Sequence, residues 1–191
     1  KFTDNYIFLV SASKIFSYAG QRIAMVCFSE KLADMECESL NEYFGMPTYL
    51  KAFVFGVLYA LSSGTAHSAQ HAFATMLGAA ADGRLNFVED CRKYEEWGGR
   101  AKQLFTDNGF HVIYAKDGDR EISDGFYFTA GFKELTSEEL QGELLRYGIA
   151  AISLPTTGSE QQGLRVCVSM LKTDDSFDVL EERLSLFNDE H

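Results

Sequence analysis

The chain has 191 residues, 46% of them hydrophobic and 24% charged, with a formal net charge of −11 and a pI near 4.8. That composition excludes an intrinsically disordered chain, and the acidic balance argues against a nucleic-acid partner, whose phosphates are neutralised by Lys and Arg. The longest apolar run, residues 52–61, is ten residues long, about half of the ~20 that a membrane-spanning helix requires, so no membrane partner is expected.

In chain order, residues 6–10 (YIFLV) read as a strand and residues 11–20 as the turn that follows it. Residues 22–28 (RIAMVCF) read as the next strand, and residues 29–44 as one helix that Pro47 ends. Residues 49–62 are apolar almost throughout, and their length favours a buried helix. In residues 67–81 Phe73, Met76, Leu77 and Ala80 recur at helical steps, with Gly83 placed to stop the helix. Asn86 is a good N-cap for a further helix to Gly109, with a kink expected at Gly98-Gly99.

Residues 110–115 and 125–130 read as an antiparallel pair of strands around a charged loop. Thr136-Ser-Glu-Glu139 has capping-box spacing, and Leu140, Leu144 and Leu145 give that helix its apolar face before Gly148 ends it. Residues 149–154 and 164–170 read as two more strands around a polar loop. From about Asp175 a last helix sets Phe177, Leu180, Leu184 and Phe187 on one face. From Asn86 onward the order is helix, strand, strand, helix, strand, strand, helix, an α/β layer that covers one face of a small sheet.

Chemistry concentrates in residues 11–22, SASKIFSYAGQR, which set two hydroxyls, a lysine and an arginine on one turn between two strands. An amine attacks a carbonyl only when neutral, and a nearby cation favours that form. Arg22, eight residues after Lys14, supplies such a cation and a planar fork for phosphate oxygens, and Ser11 and Ser13 add hydroxyls. The donor set suits a phosphorylated aldehyde.

This pattern resembles the aminotransferase class I and II family, fold type I pyridoxal-phosphate enzymes, whose motif S-x-S-K is followed by Arg eight residues after the Lys. The resemblance implies that Lys14 is the Schiff-base lysine and proton shuttle and that Ser11 and Arg22 bind the pyridoxal 5'-phosphate. One departure is Ala24, where many members carry Gly. HSAQHAFATML resembles the family helix leading to the small domain, and Asp124-Gly-Phe-Tyr-Phe128 resembles a small-domain strand. Residues 163–169 (GLRVCVS) resemble the strand whose arginine, here Arg165, holds the substrate α-carboxylate.

The fold implied is α/β, the C-terminal portion of a fold type I subunit, with residues 1–85 ending the large cofactor domain and residues 86–191 forming the small domain. The reaction implied moves an amino group between an amino acid and a keto acid. A carbon–sulfur lyase or decarboxylase on the same scaffold and a cofactor-sensing domain of a transcription regulator are the alternatives. The family's Gly-rich loop, ring-stacking aromatic and ring-nitrogen Asp all precede the lysine, so the chain is expected to be an excerpt of a longer enzyme and inactive alone. A homodimer is expected, and residues 49–61 are expected to self-associate where they lack cover.

Other features carry simpler readings. His67 and His71 are four apart on a helix, but no HExxH pattern or third ligand accompanies them, and they read as a surface pair. Cys27, Cys37, Cys91 and Cys167 have neither CxxC spacing nor a disulfide framework, which fits a reducing cytoplasm. Tyr18 either faces the cofactor or packs the turn, and the acidic last helix is a solvated face.

Overall fold

The computed structural model describes residues 3–122 and 125–191. The chain is a mixed α/β protein with small antiparallel sheets. It divides into two compact units, Lys1–Phe87 and Val88–His191.

The first unit opens with β1 (Ile7–Ser11), which runs into one helical turn, α1 (Ala12–Ile15), and a 3-10 turn at Ala19–Gln21. Strand β2 (Ala24–Phe28) then pairs antiparallel with β1, Leu9 opposite Val26. Thus residues 11–20, expected as a turn, begin with a turn of helix. The core of this unit is Val10, Ala12, Ile23, Ala69 and Phe73, with Ile15, Phe16, Tyr18, Met25, Met76 and Leu77 packed against it. Two of these residues, Ala69 and Phe73, come from α6 (His67–Ala81), whose apolar stripe covers one face of the β1–β2 ribbon.

Residues 29–44 form two helices rather than one. Helix α2 (Glu30–Ala33) is capped by the Ser29 side chain, which accepts from the Leu32 N–H, and α3 (Glu38–Phe44) ends at Gly45 with φ 65°. Between them the backbone leaves the helix to make an antiparallel bridge from Glu36 to Thr48, with Tyr49 N–H donating to Met35 and Cys37 N–H to Pro47. Partners across a bend outcompete a continuous intrahelical ladder here.

Residues 49–62 are helical, as α4 (Tyr49–Lys51), a π-helical stretch at Ala52–Leu58 and α5 (Tyr59–Ser62). They are not a buried helix. Only Ala52 is buried, and Phe55, Leu58, Tyr59 and Leu61 are 57%, 44%, 62% and 83% exposed. The inner side rests on strand β2 and helix α3: the Phe28 ring meets Tyr49 and Phe53 edge-on, and Phe44 lies over Gly56, where a Cβ would come within 2.5 Å of the ring. The outer side has no cover among the described residues.

The second unit centres on a four-stranded antiparallel sheet in the order β3 (Phe110–Val112), β6 (Tyr127–Phe132), β8 (Leu164–Cys167), β7 (Ile152–Ser153). A small hairpin, β4 (Lys116–Asp117) with β5 (Arg120–Glu121), fills the charged loop between β3 and β6. The expected strand pair is present, but β6 starts two residues late because Gly125, with φ 62°, belongs to the turn. Residues 149–154 hold only a two-residue strand. There Gln141 takes the Ala151 carbonyl and Leu154 opens a 3-10 turn at Pro155–Thr157.

Helices α7 (Phe87–Asp107), α8 (Ser137–Arg146) and α9 (Asp174–Glu190) pack one face of this sheet. Phe105 from α7, Leu140 and Leu144 from α8, and Phe177, Leu184 and Phe187 from α9 meet Phe128, Phe132, Leu164 and Val166 from the strands. Helix α7 runs unbroken from Phe87 through Gly98-Gly99 to Asp107. Gly98 is buried, with the Gly125 carbonyl at ordinary contact distance, 3.5 Å, from where a Cβ would stand. No helix among the described residues is long and apolar enough to cross a membrane.

Candidate functional site

The turn between β1 and β2 sorts its residues by face. Ala12 and Ile23 are buried in the unit's core, and Ile15, Phe16 and Tyr18 pack against it, which places Tyr18 in the packing of the turn. Ser11, Lys14 and Arg22 are exposed and Ser13 is half-buried. Apolar residues at positions 10, 12, 15, 16, 18 and 23 therefore anchor the loop, and the polar residues between them are left on its outer side.

The loop is closed by backbone hydrogen bonds. Ala12 N–H donates to Ile23 O at 3.2 Å, and both Phe16 and Tyr18 N–H donate to Ala12 O. Two non-glycine residues in it adopt the left-handed region, Ser17 with φ 52° and Arg22 with φ 51°. Such a conformation costs a side-chain-bearing residue about 1–2 kcal/mol and persists only where the surroundings impose it. At Arg22 it reverses the chain into β2, and the guanidinium turns back over the loop to donate to Ala19 O at 2.8 Å. The Ser11 hydroxyl makes no capping bond to α1.

Arg165 lies in the second unit, on β8. Its Cα partners are Thr129 on β6 and Ile152 on β7, so it occupies an interior strand and is not a sheet-edge arginine. Leu164 and Val166 enter the core on either side of it, which turns Arg165 to the opposite sheet face together with Thr129 and Tyr127. There the guanidinium carbon sits 4.4 Å from the centroid of the Tyr127 ring. Its Nε is buried and has no hydrogen-bond partner among the described residues. An orphaned buried donor costs about 1–3 kcal/mol, more when charged, which an anion reaching it would recover. Gly163, with φ 133°, precedes this strand, and a Cβ on it would stand 2.7 Å from the Ala130 carbonyl.

Tyr127 is a functional candidate that the sequence reading passed over. Its signal was the antiparallel register: a strand arginine and an aromatic two residues from its direct partner share one sheet face. Asp124, from the same expected motif, lies outside the described residues. His67 and His71 are both exposed on α6, and among the described residues no group of three or more His, Cys, Asp and Glu could hold a metal. The four cysteines are free.

No protein-family model matches this chain, and a search of the curated proteins finds none similar to it. The functional reading therefore rests on the residues themselves.

Proposed function

We propose that the chain is the C-terminal part of a fold type I, pyridoxal-phosphate-dependent aminotransferase subunit, with residues 1–85 ending the large domain and residues 86–191 forming the small one. The observation that carries this reading is the turn at residues 11–22, where an exposed amine, two hydroxyls and a guanidinium share a loop held by its own apolar residues. Pyridoxal phosphate, when bound, supplies an amine-reactive aldehyde and an electron-withdrawing ring.

The chain's own residues have the following roles. Ser11, Ser13 and Arg22 hold the phosphate, Arg22 by two parallel N–H bonds once it gives up the Ala19 carbonyl. Lys14 Nζ is the amine for the aldehyde and the base that takes the substrate's Cα proton. Arg165 grips the amino acid's carboxylate, and the Tyr127 ring supports its guanidinium by a cation–π contact. The rest of the subunit and a second copy complete the catalytic unit, which acts on amino acids and keto acids in the cytoplasm.

The test is selectivity of covalent labelling. The chain is mixed with pyridoxal phosphate, reduced with borohydride and mapped by peptide mass spectrometry. Label is expected to concentrate at Lys14, to be competed by inorganic phosphate and to fall in Arg22→Ala. Label spread evenly over the lysines, or indifferent to phosphate and to Arg22, overturns the assignment.

A further inference from the structure

The ladder between β7 and β8 stops one pair early, and a cavity lies where it stops. Leu154 N–H donates to Gly163 O, and Ile152 lies opposite Arg165. Antiparallel alternation makes Ala150 and Cys167 the next residues that would exchange backbone hydrogen bonds. They do not: β7 begins at Ile152, and no backbone bond joins Ala150 to Cys167 among the described residues. Both line a cavity of about 170 Å³. Phe105, Ile149, Val166 and Leu180, all members of the core cluster, form its floor. Val179 and Arg183 of α9, both exposed, stand at its mouth. Every wall belongs to the second unit, so its shape does not depend on where the first unit lies.

Arg183 is held in place at this mouth. Its Nη1 donates to the Gly148 carbonyl at 2.7 Å. Gly148 has φ 74°, and a Cβ there would stand 2.9 Å from the same Nη1, so any other residue would push the guanidinium aside. No carboxylate pairs with Arg183 among the described residues. A guanidinium oriented by a backbone carbonyl, with its other N–H groups open, is a fork for an anion.

We propose that this cavity binds a small monocarboxylate with a compact apolar body, the size of a phenyl ring or a branched alkyl group. An apolar cavity of about 150 Å³ holds benzene, so this one takes a ring-sized group on its floor. The carboxylate stays at the mouth, where it accepts from the Arg183 N–H groups that Gly148 does not use and from the Cys167 N–H that β7 leaves unpaired. A second charge on the ligand would lie against the apolar floor without a partner, which restricts the class to single acids. The site is on the helix-covered face of the sheet with Val166, whereas Arg165 is on the opposite face. It requires neither Lys14 nor Arg165 and is independent of the cofactor reading.

Methyl NMR of the full chain titrated with benzoate is expected to shift Ile149, Val166 and Leu180 together and to saturate at millimolar ligand. Benzyl alcohol, the same ring without the charge, is expected to bind at least about tenfold more weakly, as is benzoate to Arg183→Met. Arg183 also bonds Gly148, so a second variant leaves it in place. Val179→Glu sets a carboxylate one helical turn before the guanidinium, where it competes with the ligand, and is expected to weaken benzoate to the same degree. Circular dichroism checks that both variants stay folded. No shift at the three methyl residues, equal affinity for benzyl alcohol, or undiminished binding to either folded variant overturns the proposal. Shifts confined to Ile152, beside Arg165, or to Leu58 and Leu61 place benzoate elsewhere and overturn it as well. Labelling of Lys14 is read separately, so failure here and failure of the cofactor assignment are told apart.

Discussion

Arg22 does two things at one position: its backbone reverses the chain and its side chain reaches over the turn. The left-handed φ of 51° is a cost that glycine would not bear. Replacing Arg22 by Gly or by Ala removes the same guanidinium, but only Gly relieves the backbone. Arg22→Gly is therefore expected to be more stable than Arg22→Ala by about 1 kcal/mol in urea unfolding of the first unit. Both variants are expected to lose phosphate-competed labelling of Lys14. The motif spacing was legible in the sequence, but this strain was not, because a residue's φ is imposed by the closure of its loop. Arg165 follows the same logic. Its residue type and strand were legible, while its interior position and the Tyr127 ring beneath it follow from which strands pair.

Among the elements, α8 is the one whose start the sequence announced in full. Thr136 Oγ1 accepts from the Glu139 N–H at 3.3 Å, and the Glu139 carboxylate accepts from the Thr136 N–H at 2.9 Å, the reciprocal bonds of a capping box. The Thr136 backbone N–H, and then its hydroxyl, hold the Glu139 carboxyl below the usual carboxylate range. A depressed carboxylate contributes stability above its unfolded-state pKa, and that contribution is lost as pH falls through the folded value. Thr136→Ala is expected to cost about 1 kcal/mol through loss of the N-cap. It should also move the Glu139 titration, followed by NMR, back up toward the ordinary value. By contrast, residues 29–44 and 49–62 show where periodicity fails. Nothing local announces the Glu36–Thr48 bridge, and an apolar run states what a segment could bury without stating that anything covers it.

At the scale of the whole molecule, the two units differ in how much core they own. Among the described residues, the main cluster of buried hydrophobic residues has sixteen members in the second unit and five in the first. Marginal stability scales with buried apolar surface, so the first unit is expected to open at lower urea than the second. The single tryptophan, Trp97, packs against the larger cluster and reports on that unit alone. Phe187→Ala is expected to lower the Trp97 fluorescence midpoint by an amount equal to about 3–5 kcal/mol. Amide protection at Val10 and Ile23 should be unchanged, since sites with separate cores add independently. Coincident loss of both signals would show one cooperative core instead. The net charge of −11 acts on association as well. Like charges repel across any self-interface, and salt screens them beyond about 10 Å at 0.1 M, so dimerisation is expected to strengthen with added salt.

The amino-acid sequence alone determined the helices from residue 67 onward, the capping box, the strand pair around residues 110–130 and the clustering of polar chemistry in residues 11–22. These are properties of near neighbours: a 3.6- or 2-residue period places apolar groups on one side of an element, and caps act within four residues. Only the tertiary structure decided that residues 49–62 lie open among the described residues and that Arg165 sits inside a sheet over Tyr127. Each of these depends on which distant segment arrives as a partner, and a side chain's identity carries no record of what will stand opposite it.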